Sequence, residues 1–342
     1  MRSPEATGVD LVLQAATGAA MMQAFAAAAE LRIADALGDG PQRVDALAEQ
    51  LSCNDKALRR LFRALCSVGM CDERERDVFG LTPTGVVLQS HGDASIAHWT
   101  VWVARYLWPE WAQLAESVRT GETGRKLIRN VTGMEHLERD AKAAGTFHAA
   151  MGELTQLVAD SIARHPALDQ ARTVVDVGGG CGELLSVILR RHAHARGVLF
   201  DRPHAIERAR ERMQSAELLS RCQLVTGDFF RDMPAGGDVY VLKSIIHDWD
   251  DAASERILRR CRDAMNAGGC VLVVEHVMPE RLTCCAEHQE IARRDLAMLL
   301  GPGGRERTDA EFRELFGRSG LLCRAVAPAT LGFSMFEVVA SS

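Results

Sequence analysis

Apolar positions recur along this chain at two different periods, and the change falls near residue 170. From about residue 11 to residue 164 the spacing is helical. Residues 21–37 are rich in alanine and place Met22, Phe25, Ala29 and Ile33 on one face, before the stop signal Gly38-Asp39-Gly40-Pro41. A second helix is predicted over 43–51. A third starts at Asn54, a good N-cap, and carries Leu58, Leu61, Phe62 and Leu65 towards Gly69. In "MCDERERDVFGLTPTG" two short apolar ends then flank a charged tip, as in a β-hairpin. Three helices and a hairpin predict a winged helix. Further on, "WTVWVARYLWPEWAQLAESV" gathers four of the five tryptophans, a density expected of a core, a subunit interface or a ligand wall.

Beyond residue 173 short β-branched runs alternate with helical patterns. Strands are predicted at 173–177, 197–200, 222–226, 238–243, 270–276, 321–326 and 333–339, with helices at 183–191, 203–216, 252–266, 285–300 and 309–319. This alternation implies right-handed crossovers and a doubly wound, mostly parallel seven-stranded α/β sheet, with ligands at the carboxyl ends of the strands. The expected division is residues 1–98 as a helical unit, 99–165 as a linker with pocket residues, and 166–342 as the sheet domain.

Composition narrows the function. With 342 residues, 47% hydrophobic and 25% charged, the chain can bury more than one core. The third helix bears Lys56, Arg59, Arg60 and Arg63, which raises DNA binding as a rival reading. The formal charge of −6 and the need of that helix to bury its leucines weigh against nucleic acid. No stretch approaches the ~20 uninterrupted apolar residues of a membrane span, and no secretory signal is seen, so a cytoplasmic protein without a membrane partner is expected. Ten cysteines without CxxC spacing fit a reducing compartment.

The chemistry centres on "TVVDVGGGCGELL". A glycine bend lets backbone approach a ligand closely, and the register is Asp176, Gly178, Gly180, Gly182, with Glu183 where a dinucleotide fingerprint needs its third glycine. This spacing points to an S-adenosylmethionine site. Asp201, about twenty residues on and closing the second strand, is placed to accept ribose hydroxyls. Asp228 closes the third strand, where it can accept from an adenine amino group while Phe229 packs on the ring. The fourth strand runs into "VLKSIIHDWDD", putting His247 on the same rim. A phenol has a pKa near ~10, and a neutral imidazole beside it can take its proton.

The motifs "VVDVGGGCGELL", "FDRPHAIERA", "GDFFRDMP", "LKSIIHDWDD", "VLVVEHVMPE" and "GPGGRERTDAEFRELFGRSG" resemble, in order, those of the S-adenosylmethionine-dependent O-methyltransferases of the caffeate, hydroxyindole and bacterial polyketide-tailoring type. The likeness extends more weakly through the winged-helix segment. It implies a Rossmann-like catalytic domain, an N-terminal dimerisation domain that makes a homodimer, a small aromatic substrate, and S-adenosylhomocysteine as product. His247 becomes the general base, with Glu275 and Glu306 on either side of its imidazole. Gly178, Asp201, Asp228, Phe229 and Lys243 match cofactor contacts, and Trp249 covers the adenine. Phe147, Met151, Asp295 and Met298 are nominated for the acceptor pocket. Relatives with "FNxAM" carry Asn where this chain has His148.

Rival readings remain open at this level. One is a metal-dependent, catechol-type enzyme, although an HDW-type base argues for metal-free chemistry. Vicinal Cys284 and Cys285 with His288 make an awkward ion site. Others are a ligand-sensing transcription factor, a relative that hydroxylates or decarboxylates, and methyl transfer to nitrogen or carbon. The residues do not name the acceptor.

Overall fold

The computed structural model describes residues 7–131 and 133–341. The chain divides into two compact units, one running to Trp108 and taking in Ala149–Leu154, the other holding Pro109–His148 and the chain from Thr155 onward.

In the first unit, helix Gly8–Glu30 begins at Thr7, whose hydroxyl accepts from the Asp10 N–H while the Asp10 carboxylate accepts from the Thr7 N–H. This helix starts thirteen residues before the expected one and stops before Arg32, which sits at φ 56° and separates it from Ile33–Ala36. The stop at Gly38 is thus preceded by a break that the alanine-rich pattern hid. By length and composition the Gly8–Glu30 helix could cross a membrane, which corrects the expectation that no stretch comes near one. Gln14, Thr17 and Gln23 interrupt its apolar run, but alanines and methionines stand where an ordinary surface helix carries charge. Val9, Leu11, Val12 and Leu13 are all exposed.

Helices Val44–Gln50 and Asp55–Ser67 follow, the second capped by the Asn54 side chain accepting from Ala57 N–H. The hairpin forms as predicted and gains a strand, so that β1 (Gln42–Arg43), β2 (Cys71–Glu75) and β3 (Val78–Leu81) build a sheet in the order β1-β3-β2. Phe62 stacks on Phe79 at 4.3 Å at the centre of this unit's core. Arg59 is ion-paired with Asp77 at the hairpin tip. The tryptophan segment starts on a buried acceptor: Glu153 takes the N–H groups of His98 and Trp99 and the His98 ring.

In the second unit, β4 (Thr173–Val177), β5 (Arg196–Asp201), β6 (Cys222–Thr226), β7 (Gly237–Lys243), β8 (Met265–His276), β9 (Leu321–Pro328) and β10 (Phe333–Ala340) form one seven-stranded sheet, β6-β5-β4-β7-β8-β10-β9. The pairs among β4 to β8 are parallel, and only β10 runs against its neighbours. Helices Glu183–Arg191, Pro203–Ser215, Asp251–Ala264 and Asp309–Arg318 supply cover. Alternate strand residues enter opposite cores: Val174, Val239 and Leu272 on one face, Val175, Tyr240 and Val273 on the other. Strand order reverses between β4 and β7, and it is at such a switch point that the carboxyl ends leave a crevice.

Candidate active site

The ends of β4 and β7 meet at that reversal. Gly178, Gly180 and Gly182 have φ of 67°, 60° and 84°, a region that side chains disfavour. Space is tight at two of them as well: a Cβ on Gly178 would lie 2.5 Å from Ile245 Cδ1, and one on Gly182 2.5 Å from Met213 Cε, so those side chains would have to shift. Beneath the bend Asp176 is buried. Burial, against the pull of Lys243, raises its carboxyl to about 7. The bend and its acids fit a nucleoside cofactor, since glycine backbone opens a cradle that any side chain would fill.

Asp201 Oδ2 accepts from Gly180 N–H at 2.7 Å and Oδ1 from Arg202 N–H at 2.6 Å, so the predicted ribose acid is fastened directly to the bend. Burial raises its carboxyl, opposed by those two donors. Asp228 Oδ1 accepts from Phe230 N–H at 2.9 Å. Phe229 stands edge-on to Trp249 at 5.8 Å, which brings the two expected ring-packing residues together. Lys243 is different. Its ammonium meets Ser244 Oγ at 3.3 Å and the Phe333 ring at 5.7 Å, and burial pulls its pKa down against the nearby charges of Glu275, Asp176 and Glu183.

Past β7 the chain turns at Ser244, φ 55°, into a one-turn 3-10 helix, Ile246–Asp248. Glu275 fixes this turn: its Oε1 accepts from the N–H groups of Ile245, Ile246 and His247 at 3.0, 2.7 and 3.3 Å. Its Oε2 lies 3.7 Å from His247 Nδ1, and Glu306 Oε1 lies 3.3 Å from the same nitrogen. The two carboxylates therefore do not bracket the ring from its two nitrogens but converge on one. Nε2 faces the other way, its nearest carboxylate oxygen being Asp248 Oδ1 at 3.6 Å. Burial pulls the imidazole down, but Glu275, Glu306 and Asp248 outweigh it and raise its pKa to about 10. Burial pushes the Glu275 carboxyl up to about 7. Glu275 Oε2 and Glu306 Oε2 are buried without a hydrogen-bond partner among the described residues. The ligand atoms of His247, Glu275 and Glu306 lie within 4.8 Å of one another, a spacing that could also hold a metal ion.

The loop that brings Glu306 is built for close approach. A Cβ on Gly304 would stand 2.0 Å from the His247 carbonyl oxygen, and Arg305 N–H donates to that oxygen at 2.9 Å. Sequence reasoning missed Arg307, which is fully buried and donates to the Ile246 and Trp249 carbonyls at 3.0 and 2.8 Å and to Asp251 at 2.8 Å. A carboxylate thus holds the N–H side of the turn and a guanidinium its carbonyl side. The only signal was "RERT", where Arg307 reads as one more surface charge.

Of the pocket candidates, Asp295 Oδ1 accepts from Glu306 N–H at 2.9 Å, which ties it to the base cluster. Met298 is half-buried on the same helix, Ala286–Leu300, and its carbonyl takes the Gly303 N–H at 2.8 Å. Phe147, half-buried on helix Ala141–Ala163, stands edge-on to His148 at 5.5 Å. Met151 lies in the other compact unit.

A sheet with a glycine cradle and strand-end acids at its switch point defines a nucleoside-binding enzyme of the methyltransferase class. The O-methyltransferase domain family matches residues 111–322 and the O-methyltransferase dimerisation domain residues 13–90, so the chain belongs to the O-methyltransferase family. It is similar to the phenazine O-methyltransferase PhzM of Lysobacter antibioticus, 37% identical over 328 residues, 96% of this chain and 95% of the relative. The solved LaPhzM structure matches at TM-score 0.92 and 36% identity, covering 98% of this chain and 100% of the other. The O-methyltransferase NcsB1 from neocarzinostatin biosynthesis, in complex with S-adenosylmethionine and 2-hydroxy-5-methyl naphthoic acid, matches at TM-score 0.76 and 34% identity, over 93% and 95% of the two chains. Relatives at 31% identity include N-methyltransferases. The chain is an S-adenosylmethionine-dependent methyltransferase with a helical dimerisation domain, akin to enzymes of antibiotic biosynthesis.

Proposed function

We propose that this enzyme methylates a hydroxyl, of phenolic type, on a small aromatic or polyketide-like compound, with His247 as a metal-free general base. The observation that carries the reading is the convergence of both glutamates on Nδ1, which leaves Nε2 as the nitrogen available to an acceptor.

When bound, the cofactor supplies an electrophilic methyl on a sulfonium. Gly178 would give it backbone access, Asp201 and Asp228 would accept from the ribose and the adenine, and Phe229 and Trp249 would flank the base. The protein then has one proton to move. His247 Nε2 takes it from the acceptor hydroxyl, Nδ1–H stays against Glu306, and the buried imidazolium that forms has two carboxylates on its Nδ1 side. The upward push on the imidazole favours that protonated product, and it brings the pair close to the ~10 of a phenol. Holding acceptor and methyl in line is worth up to ~7–11 kcal/mol in well-aligned systems, the larger share of the acceleration. Phe147, Asp295 and Met298 are proposed to shape the acceptor pocket, with Asp295 acting through Glu306.

The decisive experiment incubates the protein with S-adenosylmethionine and a panel of phenols, hydroxynaphthoates and aromatic amines, with and without excess chelator. O-methyl products that survive the chelator support this reading. Activity lost to chelator and restored by a divalent ion would turn the same three side chains into a metal site, and products methylated only on nitrogen would move the acceptor atom. We also propose a homodimer in which a second copy covers the exposed apolar residues near Val12, in a cytoplasmic enzyme that contacts neither nucleic acid nor membrane.

A further inference from the structure

His148, the residue after Phe147, is not a free polar handle. Its side chain is buried, and Nε2 lies 2.8 Å from Nδ1 of His204, two residues into the helix that follows Asp201 and Arg202. Burial, with His204 and Arg208 beside it, pulls His148 down to about 4, so a neutral His148 ring meets His204 across that contact at neutral pH. One turn back on the same helix is Gly145, where a Cβ would lie 3.0 Å from Arg208 Nη2. Before it, on helix Glu135–Arg139, Glu138 accepts from Arg202 Nη2 at 2.7 Å. Arg202 in turn gives its N–H to Asp201 and places Nη1 3.6 Å from Asp228 Oδ2. Three contacts from residues 138–148 land on the short segment 202–208, which follows Asp201 directly and reaches Asp228 through Arg202.

We propose that residues 138–148 are a clasp on the cofactor: Glu138 and His148 fasten the 202–208 segment, and with it Asp201 and Asp228, against the nucleoside, setting how long S-adenosylmethionine and its demethylated product stay bound. Glu138 and His148 are positioning residues, and the inference rests on the reading of Asp201 and Asp228 as the nucleoside acids. His148 here serves the cofactor and leaves selection of the acceptor to other residues. Where release of the demethylated product limits turnover, loosening the clasp raises kcat.

The test measures dissociation of S-adenosylhomocysteine from the full-length protein by stopped flow. His148→Phe, which removes a buried partner, should speed dissociation about tenfold. Glu138→Gln, at an exposed ion pair that folding does not need, should speed it about two- to fivefold and add nothing on top of Arg202→Gln. The acceptor KM should stay within about twofold in both, since neither side chain is assigned to the acceptor. Unchanged dissociation in His148→Phe and Glu138→Gln, or an acceptor KM that rises alone, overturns the clasp. Asp201→Asn separates the two ideas: weakened binding there with normal dissociation in the clasp variants sinks the clasp only, whereas wild-type binding in Asp201→Asn sinks the nucleoside reading and the clasp together.

Discussion

The acids proposed for the cofactor rim and those around His247 are the same chemistry set in opposite surroundings. Asp201 and Asp228 are half-buried, and each gives an oxygen to a main-chain N–H of its own strand-end turn while keeping lone pairs for a ligand. Glu275 and Glu306 are sealed, and their contacts turn inward, onto the His247 turn and one nitrogen of its ring. The first pair can recognise; the second can only tune. Position relative to the strand ends decides which. Asp201 closes β5 and opens onto the crevice, whereas Glu275 lies inside β8, one residue before its end, and points across to β7's exit.

That contrast can be broken from either side. The largest expected effect is His247→Ala, which should cut turnover by ~10²–10⁴ with S-adenosylhomocysteine binding nearly unchanged by calorimetry. Full turnover in that variant would remove the base pocket from the chemistry. Next, Glu306→Gln should lower turnover by roughly tenfold, the scale of one charge-assisted hydrogen bond, and move the rising limb of the pH profile. The sign follows from the base: a neutral Nε2 is needed, so kcat/KM rises with pH through the imidazole's raised pKa, and removing one carboxylate slides that limb to lower pH. A limb that stays put means Glu306 does not act on the ring.

On the rim, Asp201→Asn should weaken S-adenosylhomocysteine binding by about tenfold while the shape of the pH profile is retained. The smallest effect concerns stability. Asp176 is raised in the fold above its unfolded value, so the native state holds its proton longer and wild-type stability is lost as pH climbs from about 4 to about 7. Melting curves of Asp176→Asn and wild type should therefore diverge in the variant's favour across that window, by a few degrees. Curves that run parallel would place the proton elsewhere.

Much of this was readable in advance, for a physical reason. Strands β4 and β6 and the helix after the glycines fall where β-branched runs, glycines and periodicity put them, and in β4 the reason is that a parallel strand buried on both faces writes a nearly unbroken apolar stretch. Asn54 caps where its side chain demands. What stayed hidden depends on contacts far apart in the chain. The stop before Arg32 falls at a non-glycine residue with φ 56°, and β1 is two residues that become a strand only when β3 pairs with them. Arg307 looked like surface charge because its carbonyl partners sit about sixty residues earlier. The convergence of Glu275 and Glu306 on a single nitrogen is three-dimensional information that no spacing carries.

The row Val9, Leu11, Val12 and Leu13 has a practical corollary. An affinity tag fused ahead of residue 7 would sit against the most adhesive patch of the chain. Purification handles therefore belong after residue 341, and replacing Val12 and Leu13 with glutamate should trade self-association for an easily handled single chain, visible as a halved mass in light scattering.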